Sequence, residues 1–174
     1  MEFSELIHRR RSHRKFTEQP VERQKVEAIL KAGLLAPSGK SVYPCEFIVA
    51  DEPDMLTKLS QAKAHGAALV ASAPLAIVVV ADTSKTDVWI EDASIATTLI
   101  MLEAENQGLG ACWVQMRQRG TEDGVPATEN LRKLLNLKPD YEVLAVVAIG
   151  YKAEEKNART DSDLNFEKVH HLTL

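Results

Sequence analysis

Leu75-Ala76-Ile77-Val78-Val79-Val80-Ala81, entered through Ala73-Pro74, is the stretch on which the fold turns. It is an uninterrupted apolar run, rich in β-branched side chains and short, with proline as its punctuation. An alternating strand keeps one face polar; a run with no polar position on either face is the pattern of a strand buried on both sides. Downstream, residues 87–107 form the longest helical pattern in the chain. From position 93 to position 102 that helix carries no charge on any side, so it is expected to be buried nearly all round, as the core of the domain or as a subunit interface.

The other elements group around these two. Phe3, Leu6 and Ile7 recur at helical spacing over residues 3–10, with Ser4 a candidate cap. Glu18-Gln19-Pro20-Val21 is a turn, and Val26, Ile29, Leu30, Gly33 and Leu34 trace one face of a second helix. That helix ends before Pro37, because the residue preceding proline is pushed out of the α region. Residues 38–44 are loop, Glu46-Phe47-Ile48-Val49-Ala50 is a strand, and Asp51-Glu52-Pro53-Asp54 caps the next helix. Residues 56–73 are helical in tendency but broken near Gly66. Gly108-Leu109-Gly110 stops the long helix as a C-cap and leads into the strand Ala111-Cys112-Trp113-Val114. A short helix over 129–135 and a strand over 142–149 follow, the latter ended by Gly150-Tyr151-Lys152, and Val169-His170-His171-Leu172 is a candidate last strand. With no repeat, linker or boundary, residues 1–174 are expected to form one domain.

Composition narrows the function classes. The 174 residues carry a formal net charge of −4 and a pI near 5.8, against general nucleic-acid binding. No apolar run is long enough to span a membrane, and the acidic, amphipathic start is not a signal peptide. Cys45 and Cys112 lack metal-ligand spacing and are expected to be small, buried, reduced residues of a cytoplasmic protein. Gly33 through Ser41 is not a nucleotide phosphate loop: five residues separate Gly33 from Gly39, Pro37 interrupts them, and a helix rather than a strand precedes. Gly108-Leu109-Gly110 lacks the third glycine of a dinucleotide fingerprint, and there is no Gly-x-Ser-x-Gly nucleophile elbow. Five scattered histidines give no metal site.

Against this acidic background stands Arg9-Arg10-Arg11-Ser12-His13-Arg14-Lys15-Phe16, five cations in seven residues beside a hydroxyl. A compact positive cluster suits a single anionic ligand, and guanidinium forks on phosphate oxygens contribute roughly 1.5–3 kcal/mol per charge-assisted bond. The phosphate of a small molecule is the first reading, and a solvated basic face is the other.

The basic run, Ala36-Pro37-Ser38, the helix ending in Gly108-Leu109-Gly110 and the Gly150-Tyr151 strand end occur in one order and spacing that resembles the nitroreductase family of flavin mononucleotide (FMN) enzymes. The similarity runs from about Ile7 to Val169 and includes Arg10-Arg11-Ser12-His13-Arg14, Asp92 opening the central helix, and Gly108-Leu109-Gly110-Ala111-Cys112-Trp113. The resemblance implies an α+β fold: a mixed, mainly antiparallel sheet of four to five strands wrapped by helices, in a tight homodimer with FMN at the interface. It also implies roles. Arg10 and Ser12 would bind the flavin phosphate with help from Arg11, Arg14 would reach the ribityl chain or pyrimidine end, and Lys156 and Arg159 would close over the phosphate. Gln115 or Met116 would offer a backbone N–H to flavin N5, and Pro37, Ser38 and Ser41 would lie by the partner's flavin. Ser41, Tyr43 and Cys45 depart from the family's usual Asn, Gln and Trp, and Thr98 stands where an Asn is common.

The activity implied is hydride transfer from NAD(P)H to flavin and then electron transfer to a nitroaromatic, quinone or flavin acceptor in a ping-pong cycle, with no catalytic side chain, since the cofactor carries the chemistry. The alternatives are a flavin-dependent dehalogenase or ring-cleaving enzyme of the same fold, or a non-enzymatic flavin-binding protein.

Overall fold

The computed structural model describes residues 1–172. Its centre is the run quoted first: strand β2 (Leu75–Asp82), in which every residue from Leu75 to Ala81 is at most 1% exposed. Because strand side chains alternate, the run divides between two cores. Leu75, Ile77 and Val79 pack with Ile29 of helix α2 (Arg23–Leu34) and with Ala93, Ile100 and Ala104 of helix α5 (Trp89–Asn106). Ala76, Val78 and Val80 pack with Leu56 and Leu59 of α3 (Pro53–Ser60), Val70 of α4 (Ala68–Ala71) and Leu131 of α6 (Ala127–Leu134). Each buried Val, Leu or Ile among these contributes about 1.5–3 kcal/mol of transfer free energy. The layers are therefore helix, sheet, helix.

The sheet is antiparallel, in the order β1 (Cys45–Ala50), β2, β4 (Tyr141–Gly150), β3 (Gly110–Gln115). Between β2 and β4 the register slips: Val79 faces Ala145 but Val80 faces Val143, which leaves Leu144 as an extra residue. At this bulge the Leu144 carbonyl accepts both the Met116 and the Arg117 N–H at 3.1 Å, which bends the chain away at the end of β3.

Gly108 ends α5 in the left-handed region at φ +77°, with Gly108 N–H bonded to Glu105 O at 3.0 Å and Leu109 N–H to Ala104 O at 2.9 Å. This paired arrangement satisfies the last free carbonyls of the helix.

Several expectations are corrected. Helix α5 is not buried all round: Ala93, Ala96, Thr97 and Ile100 are buried, whereas Ile95 is 41% exposed and Thr98 is exposed. The N-cap of α1 (Phe3–Arg9) is Glu2 rather than Ser4, and α3 starts on Pro53 with no side-chain cap from Glu52. Cys45 is half-buried; only Cys112 is buried. The sheet has four strands, and residues 169–172 form none. The parallel contact is a single bridge between Ser12 and Ala111.

Candidate functional site

Strand β3 lies at one edge of the sheet, and that edge organises the site. Met116 N–H bonds to Leu144, so by the alternation of an antiparallel ladder residues 110, 112 and 114 turn their backbone groups to β4, while 111, 113 and 115 turn theirs outward. An open edge needs partners. The Ala111 carbonyl accepts His13 N–H at 3.0 Å, and the Gln115 carbonyl accepts Lys63 Nζ at 2.8 Å.

The basic run is thus laid along this edge. Arg10 caps α1 with its N–H on Leu6 O at 2.9 Å, Ser12 bridges Ala111, and Phe16 bridges Lys152. The chain after β4 folds back over the same run. Lys156 Nζ donates to Ser12 O at 2.9 Å, an Arg11 guanidinium N–H donates to Asn157 O at 2.6 Å, and Arg159 N–H donates to His8 O at 2.9 Å. Residues more than 140 positions apart in sequence are brought together here, the basic run with Lys156, Asn157 and Arg159.

The electrostatics are lopsided. Among the described residues Arg10, Arg14 and Arg159 have no carboxylate within ion-pair distance, while Lys156 has Glu154 at 3.6 Å. Burial pushes the Cys112 thiol up, and the nearby Arg14, Lys156 and Lys63 pull against it. Lys63 is itself held below the usual lysine range by burial and by Arg119. A guanidinium and two ammonium groups therefore act on Cys112, and among the described residues only Lys156 of the three has a carboxylate within ion-pair distance.

Of the two positions expected to offer an amide, Gln115 turns its N–H to the open edge. The Met116 amide is spent on Leu144, and its side chain is fully buried. The Gln115 side chain is locked as well: its Oε1 accepts Trp113 Nε1–H at 2.8 Å and its amide donates to Arg117 O at 2.9 Å.

Pro37, Ser38 and Ser41 lie elsewhere. Ser38 Oγ donates to Asp92 at 2.9 Å and Gly39 N–H donates to the same carboxylate at 2.8 Å, which ties the loop to the first turn of α5. Lys40, Ser41 and Tyr43 all have positive φ, at 54°, 56° and 50°. The basic run instead meets the last turn of α5, where Glu105 binds Lys152 at 2.7 Å. Thirteen residues of helix at 1.5 Å each separate Asp92 from Glu105, about 20 Å. Within one chain the two halves of the expected site are not brought together.

Sequence reasoning missed Lys63, Arg119, Glu105 and Lys152. No local pattern marks them, since the Glu105–Lys152 partners lie 47 positions apart and Lys63 reaches Gln115 across 52. Among the described residues, no group of three His, Cys, Asp or Glu side chains could hold a metal ion, and no helix is long and apolar enough to cross a membrane.

Comparisons with known proteins identify the family to which this chain is similar. The family model described as the nitroreductase family matches residues 7–69 and 52–151. An FMN-dependent nitroreductase from Clostridium difficile R20291 is 45% identical, with 99% of this chain and 100% of that one covered at a TM-score of 0.96. A provisionally assigned NADH dehydrogenase/NAD(P)H nitroreductase of Archaeoglobus fulgidus is 36% identical over 95% of this chain and 94% of its own. A provisionally assigned nitroreductase from Desulfovibrio desulfuricans, solved in complex with FMN, is 27% identical, with 95% and 96% covered at a TM-score of 0.75.

Proposed function

The chain belongs to the nitroreductase family, and from that premise we propose that it is a single-domain, FMN-dependent oxidoreductase whose bound flavin carries electrons from NAD(P)H to a nitroaromatic, quinone or free-flavin acceptor in a ping-pong cycle. The observation that carries this reading is the set of cations Arg10, Arg14, Lys156 and Arg159 on the open edge of β3, of which only Lys156 has a carboxylate within ion-pair distance among the described residues. Arg10 and Arg14 have no carboxylate partner, and Lys156 and Arg159 are folded onto the same run. A dianionic phosphate fits such a cradle, because guanidinium groups bind phosphate oxygens in a fork and their charge is otherwise unanswered. The names of the Clostridium and Desulfovibrio relatives support FMN as the molecule that carries that phosphate.

Each residue then has a task. Arg10, Arg11 and Ser12, closed over by Lys156 and Arg159, hold the phosphate. Arg14, farther along the run, stabilises negative charge at the pyrimidine end of the ring. The outward N–H of Gln115 meets the ring edge, its side chain fixed by Trp113 so that the amide stays in place. No side chain acts as acid or base; the protein supplies position and charge.

The partner supplies the rest. Pro37, Ser38 and Ser41 stand about 20 Å along α5 from the basic run, the spacing expected if they serve the site of a second copy. Phe3 and Ile7 of α1, Leu35 after α2 and Ile95 of α5 are exposed, an apolar set that a homodimer would cover. The two unpaired cysteines suit a reducing, cytoplasmic setting.

An absorbance spectrum of the purified protein, followed by anaerobic addition of NADPH and then NADH, tests the reading. The expected result is the two visible bands of oxidised flavin, bleached by one or both nicotinamides. A colourless protein that takes up no added FMN would overturn it.

A further inference from the structure

Glu105 is an unusual carboxylate. It is 2% exposed and sits in the last turn of α5, where the negative end of the helix dipole opposes it. Its position is explained by its partners. Lys152 Nζ lies at 2.7 Å with its side chain only 11% exposed, and Arg9 Nε lies at 4.0 Å. Both partners belong to the frame of the basic run: Arg9 opens it, and Lys152 bridges Phe16, which closes it. Midway, His13 packs against Gly110, where an added Cβ would meet His13 Cβ at 2.7 Å and Lys152 Cγ at 3.1 Å. One carboxylate thus binds the residue that bridges the far end of the run and lies at ion-pair range of Arg9 at its start, whose guanidinium also reaches Glu5 at 3.5 Å.

We propose that Glu105 is a positioning residue for the phosphate cradle: by engaging Lys152 and Arg9 it fixes the run along β3 so that Arg10 and Arg14 face a ligand rather than a carboxylate. The proposal rests on the flavin reading above and adds a residue that touches neither phosphate nor ring. It opposes simple charge counting. Glu105 places a negative charge beside an anion site, so its removal would tighten phosphate binding if net charge alone mattered. Loss of the frame has the opposite effect, because each mis-set guanidinium forfeits a charge-assisted bond.

The test compares FMN with riboflavin, which has the same ring and ribityl chain but no phosphate. Dissociation constants of both are measured by flavin-fluorescence quenching on flavin-free protein at fixed salt. Wild-type protein is expected to prefer FMN, and Glu105→Gln is expected to lose that preference by about tenfold or more, mainly through weaker FMN binding. Damage to the fold at large would weaken both flavins alike and leave the preference standing. Because Glu105→Gln leaves the Lys152 charge buried, the double variant Glu105→Gln/Lys152→Met is measured too; it holds no buried charge at this point and is expected to show the same loss. An unchanged or increased FMN preference in the folded variant, or in the double variant if the single one does not fold, overturns the proposal. A wild-type protein that binds neither flavin would instead overturn the flavin reading.

Discussion

The Asp92 carboxylate receives the Ser38 hydroxyl at 2.9 Å, joining the first turn of α5 to a loop 54 residues earlier. The same carboxylate takes Gly39 N–H, and Ser38 Oγ in turn accepts Tyr43 N–H at 3.0 Å. Asp92 is 4% exposed at a helix N-terminus, where negative charge is favoured. It holds a loop with three non-glycine residues at positive φ, a conformation that costs free energy and persists only when its surroundings enforce it. Asp92→Ala is therefore expected to lower unfolding stability by about 2–4 kcal/mol, less than the sum of two independent charge-assisted bonds because the two oxygens belong to one carboxylate and share its charge. Urea unfolding measures it, and a loss under about 0.5 kcal/mol would mean the loop holds itself.

Cys45 stands at the start of β1 beside this loop, where a redox role could be imagined for it. Burial and the neighbouring Asp92 push its thiol up to about 11. At pH 8 the thiolate fraction is then roughly a hundredth of that of an ordinary cysteine. Alkylation by iodoacetamide at that pH, located by peptide mass mapping, should be slower at Cys45 than at a free thiol by about that factor. Reaction at the free-thiol rate would restore the redox reading.

What the sequence could and could not convey follows from the range of each interaction. The run from Leu75 to Ala81 announced a strand buried on both faces because every position is apolar, and Gly108 announced the end of α5 because only a few residues tolerate that backbone. Both signals are local. The β3–β4 ladder, which decides that Gln115 rather than Met116 turns its amide outward, pairs strands distant in sequence and has no local mark. The distance from Ser38 to the basic run is set by the length of α5, visible only once the loop is seen tied to one end and the run to the other. Val169-His170-His171-Leu172 has a strand's composition in part, but strands are made by neighbours, and none pairs with it among the described residues.

His13 should make stability depend on pH. Its side chain is 1% exposed and its Nδ1 has no hydrogen-bond partner among the described residues. Burial lowers its pKa below the usual value of 6.5, with Lys152 and Lys156 adding to the effect and Glu105 and Glu155 opposing it. The unfolded chain therefore takes up this proton before the folded one does. Stability from this group is full above the unfolded value, declines as pH falls from there toward the folded value, and levels off below it. Urea midpoints between about pH 7.5 and about pH 5 should fall less in His13→Met than in the wild type. Parallel curves would show that His13 does not titrate differently on folding.

Ile95 decides whether the site is shared. It points away from the sheet at 41% exposure, on the helix that carries Asp92 at one end and Glu105 at the other. If a second copy packs here, a carboxylate at this position would be desolvated without a partner, at a cost of several kcal/mol. Ile95→Glu is then expected to weaken association by about a hundredfold or more, and sedimentation should find it at the 19.2 kDa chain mass where the wild type runs at twice that. The variant should lose bound flavin in the same step, because Ser38 and Ser41 would no longer reach a basic run. A wild-type monomer that retains FMN would show instead that the cations along β3 suffice alone, and that the loop anchored by Asp92 serves some other purpose.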